Sequence, residues 1–375
     1  VRLRHWLSLK TQPVRELVQM ANCLDMGIDV VSGYELAGAI SAGVPANRIL
    51  VNGVGKHSWL AHHCIQGLSV HFDSLAEVRR LAVLAKSLNW RVGLRCAIAT
   101  SSNREVGKNS LGWDQFGMIR EELRSAFALL THAGVAVNGL HFHLHTNVRQ
   151  VSDYHRALTH VESVARSVGI EPEYIDIGGG LPIAGEASLD GVSPASTFGL
   201  AEFREWLASI PSHFPSIGEV WLENGRFLTG PAGALVVTVL DRKERGGGVY
   251  LLCDGGLVNH ARMASIERHE IVLAPARRGP RRKTVVCGPT CGSVDRLGCW
   301  MLPESVQPGD RVIWLGAGAY HIPLETRFST GLAPVAWFNE RNEFNVIRER
   351  ETPAQWWGQW ISHDRSLRVA EATCK

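Results

Sequence analysis

The sequence predicts a parallel (β/α)8 barrel of the TIM type followed by a smaller all-β domain. Over residues 1–232, short apolar runs alternate with longer amphipathic stretches, and a strand followed by a helix, repeated eight times, is the pattern of such a barrel. Over residues 233–375, strand-like runs are separated by Gly, Pro and charged turns, and no long helical pattern precedes the tail. We therefore divide the chain into a barrel domain, 1–232, and a C-terminal β-domain with a helical tail, 233–375.

The barrel strands are predicted from short runs of β-branched and apolar residues, and the helices from apolar positions three and four residues apart. The predicted strands are Trp6–Lys10, Ile28–Val31, Ile49–Asn52, Leu68–Asp73, Arg91–Arg95, Gly139–His143, Tyr174–Ile177 and Val220–Glu223. The predicted helices between them include Val14–Cys23, Leu75–Ser87, Met118–Ala133 and Ser152–Ser167.

The second domain is predicted from shorter runs bounded by turn residues. Its predicted strands are Val236–Leu240, Val249–Cys253, Ile271–Ala274, Thr284–Cys287, Arg311–Leu315 and Val335–Asn339. In the tail from Glu351 to Lys375, Trp356, Trp357 and Trp360 recur at roughly helical spacing. This spacing predicts a terminal helix that packs through its tryptophans.

The composition is that of an ordinary globular enzyme, with 45% hydrophobic and 20% charged residues. A net charge of +3 gives no reason to expect a nucleic-acid or membrane surface, and the basic residues on either side of Gly279-Pro280 predict a solvated loop. No apolar run is long enough to cross a membrane. The eight cysteines are irregularly spaced, without a CxxC pair, so we expect reduced thiols and a cytoplasmic location.

Polar residues close each of the eight predicted barrel strands. They are Lys10, Asp29, Asn52, Asp73, Arg95, His143, the run Gly178-Gly179-Gly180 and Glu223. Because the carboxyl ends of barrel strands converge on one mouth, where active sites are built, this arrangement predicts a catalytic face.

Three of these motifs suggest specific chemistry. The triple glycine lets backbone amides approach a phosphate, although glycine runs also make simple tight turns. Glu223 and Arg226 put an acid and a guanidinium three residues apart at the end of the last strand, where the guanidinium can clamp a phosphate and the acid can face a basic ring nitrogen. His141, His143 and His145 alternate along a strand and would share one face. A metal is the rival interpretation of the histidines, but alternate strand positions lie about 7 Å apart, so we expect no metal.

Seven segments resemble, in order, the fold-type III pyridoxal-phosphate decarboxylases, the group of ornithine and diaminopimelate decarboxylases with alanine-racemase-like barrels. Leu7–Pro13 is similar to YAVKANP, Asp29–Leu36 to FDVASKGEL, Gly139–Leu144 to GLHFHVGS, Ile177–Pro182 to IGGGFP, Glu223–Arg226 to EPGR, Cys287–Cys291 to GPTC and Gly316–Tyr320 to AGAY. The matches run from Lys10 to Tyr320 and cover most of the chain. Members of this family carry a segment before the lysine strand, which we expect to be missing here or replaced by a different closure of the β-domain.

The resemblance implies a role for each matching residue. Lys10 would form the Schiff base with pyridoxal 5'-phosphate, with Lys56 as the fallback, and His143 would stack on the cofactor ring. Glu223 would keep the pyridine nitrogen protonated, and Cys291 would return a proton to Cα. The other implied cofactor-binding residues are Asp29, Arg95, Thr146, Gly178, Gly179, Gly180, Arg226 and Tyr320. The family's cysteine reaches into the neighbouring barrel, so the resemblance also implies a homodimer with shared sites.

The substrate is narrowed by departures from the family pattern. Gly292 follows Cys291 where ornithine decarboxylases carry Asp and diaminopimelate decarboxylases carry Glu, which disfavours a free diamine-type substrate. Asp254 would line the substrate pocket, and Arg262 would bind an anionic distal group or form a surface salt bridge. The segment Asp254–Leu257 also resembles decarboxylases of carrier-linked or citryl-linked amino acids in secondary and siderophore metabolism. His145 replaces the family's glycine beside the cofactor.

Decarboxylation of an amino-acid-type substrate with a modified or anionic distal group is therefore the leading hypothesis. A racemase or epimerase would use the same barrel and cofactor but would release no CO2. A catalytically silent regulator of the antizyme-inhibitor type would be expected to lose cofactor residues, which this sequence retains.

Overall fold

The structure of the chain, a computed structural model, describes residues 1–98, 115–188, 191–339, 341 and 343–361. Contacts divide the chain into two units. The first comprises the described residues of Val1–Ala234, Glu267–Glu270 and Leu315–Pro323, and the second those of Leu235–Ile266, Ile271–Trp314 and Leu324–Lys375. The first unit therefore takes in two short segments that lie far along the sequence from the rest of it.

Eight parallel strands of the first unit close into a barrel, as the sequence predicted. The strands of this unit are β1 (Arg2–Ser8), β2 (Gly27–Val30), β3 (Ile49–Val51), β4 (Ser69–Phe72), β5 (Arg91–Arg95), β6 (Val137–His141), β7 (Tyr174–Asp176), β8 (Ala187–Ser188), β9 (Glu219–Glu223) and, later in the chain, β12 (Glu267–Arg268). The pairing of β1 with β9 closes the barrel. β8 and β12 form a separate antiparallel pair.

Helices connect most of the barrel strands. They are α1 (Arg15–Cys23), α2 (Gly33–Ser41), α3 (Leu75–Ser87), α4 (Arg120–His132), α5 (Val151–Val168), α6 (Leu200–His213) and α7 (Arg226–Thr229). Between β3 and β4 the chain forms only two 3-10 turns, Lys56–Ser58 and Leu60–His62, so the predicted eightfold helical repeat is incomplete. Gly53 and Gly55 both have positive φ at the start of this connection, a backbone conformation that prevents a regular α-helix there.

The helix α3 illustrates why these segments are helical. Its buried residues Val78, Leu81, Ala82 and Ala85 recur at helical spacing and face the barrel. Ser74 caps the helix by accepting a hydrogen bond from the backbone amide of Glu77.

Aromatic side chains fill the interior of the barrel. Trp6, Tyr174 and Trp221 are fully buried, and the rings of the last two stack with centroids 3.7 Å apart. Glycines paired with these residues on the adjacent strands leave room for the rings: a Cβ at Gly27 would lie 2.1 Å from the Trp6 ring, and one at Gly139 would lie 2.2 Å from the Tyr174 ring. The barrel interior is therefore a packed core below the mouth.

The second unit is built on a six-stranded sheet, in agreement with the predicted β-rich region. The strands from this part of the chain are β10 (Ala234–Arg245), β11 (Gly248–Cys253), β13 (Ile271–Ala274), β14 (Arg281–Cys287), β15 (Arg296–Pro303), β16 (Arg311–Leu315), β17 (Val335–Phe338) and β18 (Phe344–Arg348). The first six form the sheet, in the order β13-β16-β10-β11-β14-β15, and the last two form a hairpin.

The expectation of a solvated loop at the basic cluster is wrong for Arg281–Lys283. These residues begin β14, which pairs with β11 on one side and with β15 on the other. Cross-strand pairing satisfies their backbone groups even though their side chains are charged. Arg277, in contrast, lies outside the strands and binds Asp310.

Two short helices follow β16: α8 (His321–Leu324), which precedes the tail, and α9 (Pro353–Gly358), which lies within it. Trp357 and Trp360 are exposed and pack against Trp356 rather than against a core, so the predicted packing of a long terminal helix is not seen up to residue 361. The predicted tail from residue 362 onward lies outside the described residues. Within the described ranges, no helix is long and apolar enough to cross a membrane.

Candidate active site

Four polar side chains meet at the carboxyl ends of β1, β2, β3 and β9. The Lys10 amine lies 3.0 Å from Asp29 Oδ2, just past the end of β1 in the turn Leu9–Thr11. The Asn52 amide donates to Asp29 Oδ1 at 2.8 Å and to Glu223 Oε1 at 2.7 Å. The Lys10 side chain is 35% exposed whereas Asp29 is fully buried. The amine therefore lies on the solvent side of a buried carboxylate.

The charges in this cluster change one another's proton affinity. Burial alone would lower the pKa of Lys10, but the carboxylates of Asp29 and Glu223 outweigh it and raise the pKa above its ordinary value. Burial would raise the pKa of Asp29, yet the Lys10 ammonium holds that pKa below its usual range. Burial and the Asp29 carboxylate raise the pKa of Glu223 to about 7. The cluster thus combines a fixed ion pair with a carboxyl group that exchanges its proton near neutrality.

His143 lies beside the glycine run. The amide of Gly179 donates to His143 Nδ1 at 3.2 Å, which leaves the ring proton on Nε2. Burial, with Arg95 and Lys10 adding to it, lowers the pKa of His143 to about 3. The ring is therefore neutral at physiological pH and presents an uncharged aromatic face.

The predicted shared face of three histidines is wrong. The strand β6 ends at His141, so the alternation of side chains stops there. His141 is buried inside the barrel, His143 is partly exposed and His145 is exposed. The three rings therefore have three different environments.

A different histidine pair lies within the barrel. Ligand atoms of His71, His141 and Glu223 lie within 4.8 Å of one another. The ring nitrogens of His71 are already engaged, since Nδ1 lies 2.9 Å from Asn52 Oδ1 and Nε2 lies 3.0 Å from the Tyr174 hydroxyl. The expectation that the site holds no metal stays a prediction.

Arg95 lies at the end of β5, as predicted, and pairs with a neighbouring strand end. Its guanidinium lies 3.3 Å from Asp73 Oδ1 and over the Phe116 ring. The same carboxylate accepts a hydrogen bond from the Gly117 amide. Through these contacts Arg95 and Asp73 link the connection after β4 to the connection after β5.

Arg226 is held by carboxylates that the sequence analysis did not identify. Its buried guanidinium contacts Glu267 at 2.5 Å and Glu186 at 3.4 Å, and it lies over the Tyr320 ring. His269 Nε2 lies 3.2 Å from the other oxygen of Glu267. Glu267 and Glu186 lie at the small β8–β12 pair, whose two strands are far apart in sequence, so no local pattern could have revealed this contact.

Tyr320 and Thr146 lie at the rim of the first unit. Tyr320 has a φ of 67° and its amide donates to the Thr11 carbonyl, which places it beside the turn that carries Lys10. Positive φ is unusual for a tyrosine and indicates a position fixed by its surroundings. Thr146 is exposed.

Three predicted residues, Asp254, Arg262 and Cys291, belong to the second unit. Cys291 is exposed, and the loop around it is held by Asp295, whose Oδ2 accepts hydrogen bonds from both the amide and the hydroxyl of Thr290. Asp254 accepts a hydrogen bond from the Thr238 amide. The exposed Arg262 forms no ion pair with any other described residue, so the salt-bridge alternative finds no support there.

Lys56, the fallback for the reactive lysine, is buried in a different place. Its amine lies 2.8 Å from Glu77 Oε2, and both side chains are fully buried. The same glutamate accepts hydrogen bonds from the amides of Lys56 and Asp73. Lys56 is therefore part of an ion pair that ties the turn after β3 to α3.

The chain is similar to known decarboxylases over most of its length. Residues 4–230 match the model described as pyridoxal-dependent decarboxylase, pyridoxal binding domain. The diaminopimelate decarboxylase of Aquifex aeolicus is 26% identical over 89% of this chain and 80% of its own length. The L-glutamyl-[BtrI acyl-carrier protein] decarboxylase of Niallia circulans is 25% identical over 93% of this chain and 86% of its own length.

Solved structures share the fold over nearly the whole chain. A point mutant of diaminopimelate decarboxylase from Helicobacter pylori, complexed with L-lysine, aligns with a TM-score of 0.80 at 21% identity, over 96% of this chain and 90% of that one. Lysine/ornithine decarboxylase from Vibrio vulnificus aligns with a TM-score of 0.71 at 22% identity, over 88% and 85%. From the barrel, the site and the match over residues 4–230, we conclude that this chain belongs to the pyridoxal-dependent decarboxylases, PLP-dependent amino-acid carboxy-lyases.

Proposed function

We propose that Lys10 binds the cofactor and that the enzyme decarboxylates an amino-acid substrate carrying a modified or anionic distal group. The observation that supports Lys10 is its position, since its amine lies beside a buried carboxylate and is still partly exposed to solvent. A partly exposed lysine can reach an aldehyde group, whereas the fully buried Lys56 cannot do so without breaking its pair with Glu77.

The residues of the first unit fit pyridoxal phosphate. A Cβ at Gly178 would lie 2.5 Å from His143 Nδ1, and one at Gly179 would lie 2.4 Å from the Glu223 carbonyl oxygen. Gly178 and Gly180 also have positive φ. Only glycine therefore allows this backbone to lie against the site, which is the property that a phosphate-binding loop needs.

We assign the cofactor contacts as follows. The loop Gly178–Gly180 would hold the phosphate together with Thr146 and Tyr320. Arg226 would contribute less to phosphate binding, because Glu186 and Glu267 already neutralise its charge. The neutral His143 would stack on the ring. Asp29 and Arg95 would set the local charge around Lys10.

When bound, pyridoxal phosphate supplies an electron sink for the pair of electrons released as CO2 leaves. Glu223 would face the ring nitrogen and keep it protonated. Its pKa, raised to about 7, lets it share a proton with that nitrogen near neutral pH. The exposed thiol of Cys291 would return a proton to Cα. We propose that this thiol belongs to a partner subunit, in a homodimer with shared sites, and that the enzyme is cytoplasmic.

The substrate proposal depends on residues of the second unit. Gly292 removes the carboxylate that would bind a distal ammonium, and a Cβ there would meet ordinary contacts only, so no steric need for glycine explains the change. Arg262 is available to bind an anionic group, and Asp254 lies in the same segment. The likeness to an enzyme named for a carrier-linked glutamyl substrate supports a conjugated substrate. We further propose a place in secondary or siderophore metabolism.

Chemical trapping tests the cofactor assignment. Reduction with borohydride in the presence of pyridoxal phosphate, followed by peptide mapping, should find the cofactor on Lys10. Labelling of Lys56 instead would overturn the assignment. CO2 release from free, citryl-linked and carrier-linked amino acids then tests the substrate, and exchange of the α-proton without CO2 release would indicate a racemase.

A further inference from the structure

A cationic cavity of about 380 Å³ opens in the second unit beside the Cys291 loop. Thr290 and Gly292, the two neighbours of Cys291 in sequence, line one side of it. The other lining residues used below are Lys243, Arg245 and Arg296. Its lining residues all belong to the second unit, and none of them is among the proposed cofactor contacts.

Strand register explains why the cations share one face. Asp241 pairs with Leu252, which pairs with Cys287. The register with β15 shifts between Val286 and Cys287, and after this shift Arg296 pairs with Cys287 and lines the same cavity. Directly paired residues have their side chains on the same face of a sheet. Lys243 and Arg245 follow at alternate positions along β10 and lie on that face too. At about 3.3 Å per residue, the row of Arg245 lies about 13 Å from the row of Arg296.

This face keeps a net positive charge, because its three cations, Lys243, Arg245 and Arg296, outnumber the carboxylates of Asp241 and Asp295. Arg245 and Arg296 have no ion pair or side-chain hydrogen bond with any described residue, and Lys243 has only a long contact of 3.7 Å with Asp241. Asp295 also lines the cavity, but its Oδ1 accepts a hydrogen bond from the Val258 amide and its Oδ2 accepts two from Thr290.

The opposite face of the same strand differs. Arg242 and Glu244 alternate with the cavity residues, and both Arg242 and Arg282 pair with Glu244. The unpaired cations are therefore a feature of the cavity face and not of the strand as a whole.

We propose that this cavity binds the distal anionic group, a phosphate ester or a carboxylate, of a conjugated amino-acid substrate. The inference rests on the proposed function, in which Cys291 returns the proton to Cα. Because the cavity begins next to Cys291 and its cations extend away along the sheet, it suits a substrate with an anion remote from Cα. Guanidinium groups bind phosphate and carboxylate with paired hydrogen bonds. A free diamino acid is too short to reach Arg245.

Binding to the holoenzyme tests the cavity directly. Isothermal titration calorimetry would compare coenzyme A, which carries a phosphopantetheine phosphate, with citrate, which carries only carboxylates. Removing one arginine in Arg245→Gln or Arg296→Gln should weaken binding roughly five- to tenfold, and salt should weaken it further. Arg242→Gln, on the other face, is the matched control and should bind as wild type does.

The two probes distinguish which kind of anionic group the cavity binds. Arginine-dependent binding of coenzyme A alone would identify a phosphate ester, and arginine-dependent binding of citrate alone would identify a carboxylate. If neither probe binds, or if both arginine variants bind as tightly as wild type, the cavity proposal is wrong.

Kinetics separate this proposal from the proposed function. If a conjugated amino acid is decarboxylated, Arg245→Gln combined with Arg296→Gln should raise its KM at least about tenfold and leave kcat nearly unchanged. An unchanged KM would overturn the cavity and leave the decarboxylase assignment intact. If no conjugate releases CO2 while free amino acids do, both the substrate proposal and the role of the cavity fall.

Discussion

Asn52 connects the two carboxylates at the mouth of the barrel. Its amide donates to Asp29 and to Glu223, and its carbonyl faces His71 Nδ1. The sequence placed Asn52 at a strand end together with Lys10, Asp29 and Glu223. It could not indicate the bridging role, because Glu223 lies 171 residues after Asn52 and meets it only when the barrel closes.

The sequence could indicate which side chains lie at the barrel mouth, but not the contacts that form where distant segments meet. Lys10 and Glu223 lie at the mouth because one follows β1 directly and the other ends β9, and their roles stay predictions. Arg226 was found as well, but its pairing with Glu186 and Glu267 depends on a strand pair that brings distant segments together. Such contacts leave no periodic trace in the sequence.

The titration of Glu223 predicts a pH dependence of stability. Its pKa is raised to about 7 from an ordinary 4.5, so between these values the folded chain keeps a proton that the unfolded chain has lost. The free energy of unfolding should therefore fall as pH rises through this window, and this contribution should level off above it. Glu223→Gln removes this ionisation and should be more stable than wild type at pH 8, by on the order of 2 kcal/mol.

Urea unfolding of the cofactor-free protein between pH 5 and 8 measures this effect. The difference between wild type and Glu223→Gln should grow with pH within this range. A constant difference would mean that Glu223 is already ionised at pH 5 and that its burial is relieved by solvent.

The glycine loop after β7 is the element on which cofactor binding depends most. Gly179→Ala would place a Cβ 2.4 Å from the Glu223 carbonyl oxygen, so the loop or β9 must move. We expect cofactor affinity to fall at least about tenfold, because the loop amides would shift away from the phosphate. Titration with pyridoxal phosphate, followed by protein fluorescence, measures the affinity.

A matched control is available just before β9. At Gly218 a Cβ would meet no heavy atom within 4 Å, and its φ is not in the positive range. Gly218→Ala should therefore bind the cofactor as wild type does. Equal affinities in the two alanine variants would show that the loop does not contact the phosphate.

The buried pair of Lys56 and Glu77 fixes the turn after β3 to α3. Lys56→Met should lower the free energy of unfolding by about 3–5 kcal/mol, because it leaves the Glu77 carboxylate buried and unpaired. The double variant Lys56→Met with Glu77→Gln should recover part of that loss, because it leaves no unpaired buried charge while the amide oxygen can still accept a hydrogen bond from the backbone amides that Glu77 binds. Chemical denaturation measures both, and a double variant no more stable than Lys56→Met would contradict the ion-pair explanation.

Most elements were predictable because their patterns are local. Each of the eight barrel strands overlaps its predicted range, and α3 has its predicted bounds. The strands β15 and β18 were missed, and the basic start of β14 was assigned to a loop. Arg281–Lys283 is strongly charged, and its pairing with β15 makes it part of a strand. Local composition cannot indicate such long-range pairing.

At the scale of the whole molecule, the order of elements does not reveal how the chain is divided. Glu267–Glu270 and Leu315–Pro323 belong to the barrel unit although β-strands of the second unit flank them. Glu267 and Tyr320 both contact Arg226 from these segments. The predicted division into 1–232 and 233–375 assigns every residue after 232 to the second domain. It therefore cannot represent later segments of the chain that belong to the first unit.

The proposed shared site predicts that two inactive variants restore activity together. Lys10→Ala would lack the reactive amine, and Cys291→Ala would lack the thiol that returns the proton to Cα. If each site takes Lys10 from one subunit and Cys291 from its partner, a mixed dimer contains one intact site. Random mixing makes half of the dimers mixed, so activity should recover to about a quarter of wild type.

The measurement is CO2 release after the two variants are dissociated together, mixed in equal amounts and reassociated. Mixing Lys10→Ala with the double variant Lys10→Ala and Cys291→Ala is the control and should restore nothing, because no barrel then has its lysine. Activity no greater than the average of the two separate variants would show that Lys10 and Cys291 act within one subunit or that Cys291 is not the proton donor.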